Sequence, residues 1–262
     1  MVPDGFATSP AEAAGDFTLT VLGRGGGCCR AGEACSGYLV RAGDFAVLLD
    51  CGSGVVGRLQ QACALESVND VVISHWHPDH CSDAGVLYHG RLIQTIVGQA
   101  QVPLTFYGLP QDPDLGRLER PPYTRARAVD EASELDLGPL HCTFLRTRHP
   151  VGCLATKVVG PSGAMLVYTA DGALTDDLVA FCSGADLVVA ECSLYAGVSG
   201  EGPGHMNADD VAELGRRACP GTLLLSHLPL YGDRAELLGA VRRGWDGDAR
   251  LAEELARYPV GV

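Results

Sequence analysis

The sequence predicts an α/β fold whose site forms where several strands end, and three observations carry this reading. Short apolar runs rich in β-formers alternate with stretches of helical period. Four apolar runs stop on a polar residue able to do chemistry: Ile73-Ser74-His75, Thr169-Ala170-Asp171, Val189-Ala190-Glu191 and Leu225-Ser226-His227. Burial gives strands no reason to end this way, whereas the carboxyl edge of an open sheet gathers a site by this means. Finally, 262 residues, 47% hydrophobic and 19% charged with 34 glycines, suit one compact, turn-rich domain, expected over 16–262. Residues 1–15 are small and acidic and read as a flexible tail.

In order, Phe17 to Leu22 reads as a first strand that breaks into the glycine loop Gly23-Arg24-Gly25-Gly26-Gly27. No helix follows these glycines, so they are not a dinucleotide fingerprint. Ser36–Val40 and Phe45–Asp50 form a hairpin turning at Ala42-Gly43-Asp44, and Ser53–Ala64 has the helical spacing of Val55, Val56, Leu59 and Ala62. Helices are expected again at Ser82–Leu92, Thr175–Cys182, Asn207–Cys219 and Asp233–Arg243, the third capped by Asn207 with Asp210. Leu104–Gly108 is a strand, and short apolar runs from Leu137 onward build a second β-layer. Between them, 112–131 carries Pro113, Pro121 and Pro122 with Arg117, Arg120, Arg125 and Arg127. It reads as a solvated loop whose arginines are candidates to hold a substrate phosphate.

Composition bounds the function. A formal charge of −13 argues against a nucleic-acid backbone as partner and for a small-molecule substrate. No apolar run approaches the length of a membrane span, and the N-terminus lacks a basic region followed by an apolar one, so a cytoplasmic protein is expected. The 11 cysteines are scattered and read as reduced thiols. Cys28, Cys29 and Cys35 are candidates for a structural zinc, without the paired Cys-x-x-Cys knuckles of dedicated sites.

The chemistry concentrates in Val71-Val72-Ile73-Ser74-His75-Trp76-His77-Pro78-Asp79-His80. The apolar part reads as a buried strand, and Pro78 argues that His75, His77, Asp79 and His80 sit on the loop leaving it. Imidazole nitrogen and carboxylate oxygen suit zinc and its first-row neighbours, and alternate loop positions can serve two metal positions.

His75-x-His77-x-Asp79-His80 resembles the signature of the metallo-β-lactamase superfamily, which implies an αββα sandwich of two mixed β-sheets flanked by helices. By that pattern His75, His77 and His149 hold one metal, Asp79, His80 and His227 the other, and Asp171 bridges them. Two divalent ions are implied, zinc first, with manganese or iron as alternatives. Asp50, ending the hairpin, would support the metal histidines from behind; a turn or helix-start carboxylate is the alternative reading.

Ala190-Glu191-Cys192-Ser193 and Gly204-His205-Met206-Asn207-Ala208 resemble the paired Glu and His motifs of the ribonuclease Z and phosphodiesterase branch. More of the chain, including Ala34-Cys35-Ser36-Gly37-Tyr38-Leu39-Val40 and Leu225-Ser226-His227-Leu228-Pro229, is similar to actinobacterial cyclic-nucleotide phosphodiesterases of the atypical class II type. Asp171-Gly172-Ala173 departs from the usual Asp-Thr-Gly, and the basic, glycine-rich arm that grips tRNA is missing, so tRNA is not expected. The resemblance implies hydrolysis of a small phosphodiester, with Asp79, His205 and Glu191 catalytic: water activated between two ions attacks in line, and His205, oriented by Glu191, protonates the leaving oxygen. The alternatives are a metallo-hydrolase of a thioester, lactone or lactam and, against the complete ligand set, a non-catalytic metal-binding regulator. A homodimer is compatible with the sequence. His89 and His141 receive no role.

Overall fold

The computed structural model describes residues 16–110 and 113–261, so the acidic segment 1–15 lies outside the described residues. Two mixed seven-stranded sheets carry the fold. The first takes β1 (Phe17–Gly23), β2 (Gly37–Ala42), β3 (Phe45–Leu49), β4 (Asp70–Val72), β5 (Leu104–Gly108) and β6 (Thr124–Ala128) in sequence order, with the C-terminal strand β14 (Arg257–Val260) outside β1. The second takes β7 (Glu134–Leu137), β8 (Leu140–Arg146), β9 (Leu154–Val159), β10 (Met165–Tyr168), β11 (Leu187–Glu191), β12 (Thr222–Ser226) and β13 (Ala249–Leu251) in unbroken order. Each sheet starts antiparallel and ends parallel, switching at β3 in the first and at β10 in the second. The parallel strands of both sheets send their carboxyl ends toward the site.

Three apolar clusters separate four layers. Leu19, Val40 and Leu49 of the first sheet meet Leu154, Leu166 and Val189 of the second in the middle. The outer face of the second sheet, with Val188 and Leu223, packs on α5 (Asp176–Cys182), α6 (Ala208–Ala218) and α7 (Arg234–Gly244). The outer face of the first, with Leu48 and Val71, packs on α1 (Val55–Ala62) and α3 (Ala84–Ile96). Neighbours such as Leu48 and Leu49, or Val188 and Val189, serve opposite layers because successive side chains of a strand point to opposite faces. The result is the expected αββα sandwich. Among the described residues, no helix is long and apolar enough to cross a membrane.

The expected hairpin and strand at Leu104–Gly108 are present, and α6 begins with the expected reciprocal cap, Asn207 accepting from the Asp210 amide while Asp210 accepts from that of Asn207. The arginine-bearing stretch departs from the solvated loop expected of it. It folds into a short helix, α4 (Pro113–Arg117), and the edge strand β6, where buried Thr124 alternates with exposed Arg125 and Arg127. Charged side chains on an edge strand discourage pairing with another chain. The C-terminal tail, without a readable pattern, adds one short edge strand to each sheet.

Candidate active site

Strand β4 stops at Val72, and the chain then runs irregularly to His77 before Pro78 opens a one-turn helix, α2 (Pro78–Cys81). This corrects the expectation of a loop throughout. Proline is excluded from helix interiors but suits the first helical position, where its missing N–H has no partner to lose and its φ is already helical. Asp79 and His80 therefore leave from a helical turn while His75 and His77 leave from the preceding loop.

The two halves of the segment feed two clusters. In one, His75 Nε2 lies 3.0 Å from His77 Nδ1, His149 Nε2 lies 3.3 Å from the same atom, and Asp171 Oδ2 lies 3.5 Å from His75 Nε2. In the other, Asp79 Oδ2 lies 3.0 Å from His227 Nε2 and 3.4 Å from His80 Nε2. Asp171 Oδ1 sits 3.3 Å from His227 Nε2 and 3.4 Å from His80 Nε2. Asp171 thus turns one oxygen toward each cluster. All seven candidate ligands are brought together, and each cluster can hold a cation.

The surroundings fit that role. His75 Nδ1 faces Ser74 Oγ, His80 Nδ1 faces Asp50, His149 Nδ1 faces the Gly204 carbonyl and His227 Nδ1 faces Ser193 Oγ. With Nδ1 engaged by oxygen, the Nε2 lone pairs of these four rings are left to converge, the arrangement that fixes the tautomer of a metal ligand. His80 Nε2 and Asp171 Oδ1 are buried yet make no hydrogen bond, a costly state in an apolar interior that a cation would relieve. Burial alone would raise the Asp171 carboxyl, but His227, His80 and His75 around it hold it well below the usual carboxylate range.

Asp50 is fully buried and accepts from His80 Nδ1 at 2.7 Å, Ser74 N at 2.7 Å, Ser74 Oγ at 2.8 Å and Tyr168 OH at 2.7 Å. It orients His80 directly and His75 through Ser74. The sheet edge is bent to make this possible: Asp50, Ala170 and His227 adopt left-handed backbone (φ 59°, 50° and 49°) just beyond β3, β10 and β12. Such non-glycine conformations persist only where surrounding contacts enforce them.

His205 lies beside both clusters, its Nδ1 4.0 Å from Asp171 Oδ2 and 3.1 Å from Glu191 Oε1. Burial disfavours the imidazolium, but the Glu191 hydrogen bond and charge outweigh it and raise the His205 pKa. Glu191 is buried and also accepts from the Gly172 amide at 2.8 Å and from Ser193, whose hydroxyl lies 2.7 Å from His227 Nδ1. One carboxylate therefore serves two imidazoles.

The glycine loop, which the sequence marks only as the break after the first strand, contributes to the site. The Gly27 amide donates to Asp79 Oδ2 at 2.6 Å, and a Cβ at Gly26 would lie 2.5 Å from His227 Nδ1. Ser74, Tyr168, Ser193 and these glycines were missed because nothing in their residue type marks them, although Ser74 and Ser193 lie within the His and Glu motifs and Gly26 and Gly27 within the glycine loop. The four arginines are exposed and none lines the cavity of about 440 Å³ that holds His77, Asp79, Asp171, His205 and His227, because β6 stands at the far edge of its sheet. Cys29 and Cys35 face each other and burial pushes the Cys35 thiol up to about 12. Among the described residues, the groups able to hold a metal include no cysteine.

Two mixed sheets flanked by helices, with clustered His and Asp donors at the ends of their parallel strands, define a metal-dependent hydrolase. Residues 46–228 match the β-lactamase superfamily domain, and the chain belongs to that family. It is 36% identical over 238 residues to the probable metallo-hydrolase YhfI of Bacillus subtilis, covering 90% of this chain and 96% of YhfI. The crystal structure of YhfI superposes with a TM-score of 0.89 at 34% identity, covering 92% of this chain and 98% of that one. The short form of human tRNase Z (TM-score 0.72, 20% identity, 94% of this chain and 100% of that one) shares the fold. So does a diphosphatase of the PhnP family (TM-score 0.73, 15% identity, 92% and 97%).

Proposed function

We propose that this enzyme hydrolyses a small phosphodiester, a cyclic nucleotide or a close relative, with His205 as general acid, as in the cyclic-nucleotide phosphodiesterases that its sequence resembles. The observation that carries the reading is His205 on the wall of the cavity with buried Glu191 3.1 Å behind it. With Nδ1 turned to Glu191, the nitrogen left for a ligand is Nε2. The Glu191 hydrogen bond and charge raise its pKa, which favours the protonated form that a departing alkoxide needs and a carbonyl substrate with a stable leaving group does not.

His75, His77 and His149 would hold one divalent ion, Asp79, His80 and His227 a second, and Asp171 would touch both; the donor types suit zinc, with manganese or iron as alternatives. Bound there, the ions supply Lewis-acid withdrawal of charge from phosphoryl oxygens and a lowered pKa for water. The chain's own residues do the rest. Glu191 fixes the His205 tautomer and stabilises its charge, Ser193 passes the same carboxylate's influence to His227, and the Gly27 amide holds Asp79 in place. A cavity of about 440 Å³ without a lysine or arginine in its lining suits a small substrate gripped at the metal centre rather than a polyanion.

The test is His205→Ala. It should lose roughly 10²–10⁴-fold in kcat on an alkyl diester such as cyclic AMP, the usual contribution of a general acid, with unchanged metal content. On bis-p-nitrophenyl phosphate, whose leaving group is stable as an anion, the loss should be much smaller. Equal losses on both would reduce His205 to a binding or packing residue. No loss on either, with efficient thioester or lactam hydrolysis by the same preparation, would replace the phosphodiester reading with the carbonyl one.

A further inference from the structure

The lining of the cavity has two characters. Its histidines, aspartates and glycine backbone belong to the site above, but Leu194, Pro229, Leu230 and Tyr231 are apolar or aromatic, and no catalytic step uses them. Leu230 and Tyr231 are 50% and 61% exposed, a costly placement for neighbouring large apolar side chains unless something covers them.

The segment that carries them is held firmly. Arg30 donates through Nε to the Leu230 carbonyl at 2.9 Å and through Nη2 to those of Tyr231 at 3.0 Å and Gly232 at 2.7 Å. From the other direction, the Tyr195 hydroxyl donates to the Tyr231 carbonyl at 3.1 Å. The rings of Tyr195 and Tyr231 lie 5.9 Å apart at 39°, so Tyr231 is supported from that side. Gly232 turns away at φ +73° where a Cβ would come within 2.1 Å of the Tyr195 hydroxyl. Every hydrogen bond here takes a backbone carbonyl and leaves the Leu230 and Tyr231 side chains uncommitted. Exposed apolar groups on a pinned backbone form a preorganised binding surface, since little ordering entropy remains to be lost on contact.

We propose that Leu230 and Tyr231 form a subsite for the planar, heteroaromatic part of the substrate, selecting phosphodiesters that carry a nucleobase-like ring over purely alkyl ones. Arg30 is its positioning residue. The proposal deepens the phosphodiester reading and rests on it for the reaction, but not for the binding of a ring. The ring stacks on Tyr231 while the phosphoryl group lies among the clustered donors, and both ends of one ligand fill the two characters of the cavity. Stacking on an aromatic side chain tolerates different bases because each has a π-face, so discrimination falls on the presence of the ring more than its identity.

The test compares cyclic AMP with glycerol 1,2-cyclic phosphate, both alkoxide-leaving diesters, one with a base and one without. Tyr231→Ala should raise KM for cyclic AMP by about 5–150-fold, the range expected for loss of one stacking contact, and leave kcat and the glycerol substrate nearly unchanged. Tyr231→Phe should restore KM, and Arg30→Ala should raise it for cyclic AMP only. Equal changes on both substrates, or none on either, would overturn the subsite. A second arm needs no turnover: calorimetric titration of metal-loaded protein with adenosine monophosphate and with methyl phosphate. Wild type should bind the nucleotide at least several-fold more tightly, and Tyr231→Ala should erase the difference. If wild type shows this preference yet hydrolyses no phosphodiester, the proposed reaction falls and the subsite stands. If it hydrolyses diesters but binds both phosphates equally, the subsite falls and the reaction stands.

Discussion

Two imidazole–carboxylate pairs adjoin Asp171, His80 with Asp50 and His205 with Glu191, and the same pairing suits two purposes. Asp50 lies under His80 with both partners fully buried, and three further donors from Ser74 and Tyr168 saturate the carboxylate. The free nitrogen of His80 points among the carboxylates of Asp79 and Asp171. Glu191 is as deeply buried, but its His205 is 21% exposed and lines the cavity. A charge-assisted hydrogen bond fixes the ring in both cases. What differs is the company of the second nitrogen: anionic oxygens suit that of His80 to the metal-ligand role proposed for it, and an open cavity suits that of His205 to the proposed proton transfer.

Cutting the imidazole from the buried pair should produce the largest effect. His80→Ala, like Asp79→Ala and His227→Ala, should abolish turnover and lower the metal content, while circular dichroism stays native because the three apolar clusters do not depend on these side chains. Near-normal activity in any of the three would show that its residue is not an essential ligand. His205→Ala, by contrast, should retain its metal and a residual rate.

Changing the carboxylates sharpens the contrast at a smaller scale. Asp50→Asn keeps the shape but puts an NH₂ where Ser74, Tyr168 and His80 all donate. Metal affinity should fall about 10–100-fold, the usual cost of losing a partner behind a ligand. Donor facing donor in a buried site should also cost about 2–3 kcal/mol, visible in the urea midpoint. Glu191→Gln should keep its metal and lose less kcat than His205→Ala, again mainly on alkyl leaving groups, because glutamine can still orient the ring without stabilising its charge. If Glu191→Gln lost metal as Asp50→Asn does, the two pairs would be doing the same work.

The buried and exposed pairs were not equally legible in the sequence. His75, His77, Asp79 and His80 are four candidate ligands within six residues, a density that marks a site by itself. Asp171, Glu191 and His227 were legible because each ends an apolar run, which follows from sites forming at strand termini, whereas His149 was supplied by the family resemblance. The fold class followed from the same alternation. Ser74, Tyr168, Ser193, Gly26 and Gly27 carried no such mark: they are ordinary strand and turn residues until the sandwich closes and sets them against Asp50, Glu191, His227 and Asp79. Leu230 and Tyr231 drew no reading because an apolar side chain on the surface and one in a cavity look alike in one dimension. Strands of three or four residues, such as β13 and β14, are too short to display a period.

The arginine-bearing stretch supplies the smallest expected effect. Four arginines in a short segment of an acidic chain read naturally as a phosphate grip, and that inference fails on geometry rather than on chemistry. Arg125 and Arg127 project from an edge strand separated from β4 by β5, Arg117 pairs with its neighbour Asp114, and Arg120 caps the Glu119 carbonyl. Exposed pairs of this kind contribute little to stability, and their charges are screened beyond about 10 Å at ordinary ionic strength. Alanine at each of the four positions should therefore leave KM and kcat within about twofold and the melting temperature nearly unmoved. The comparison is with Arg30, half-buried, whose hydrogen bonds end on the backbone beneath Leu230 and Tyr231. Should one of Arg117, Arg120, Arg125 or Arg127 raise KM for a diester as Arg30→Ala does, the substrate must extend well beyond the cavity, toward the edge of the first sheet.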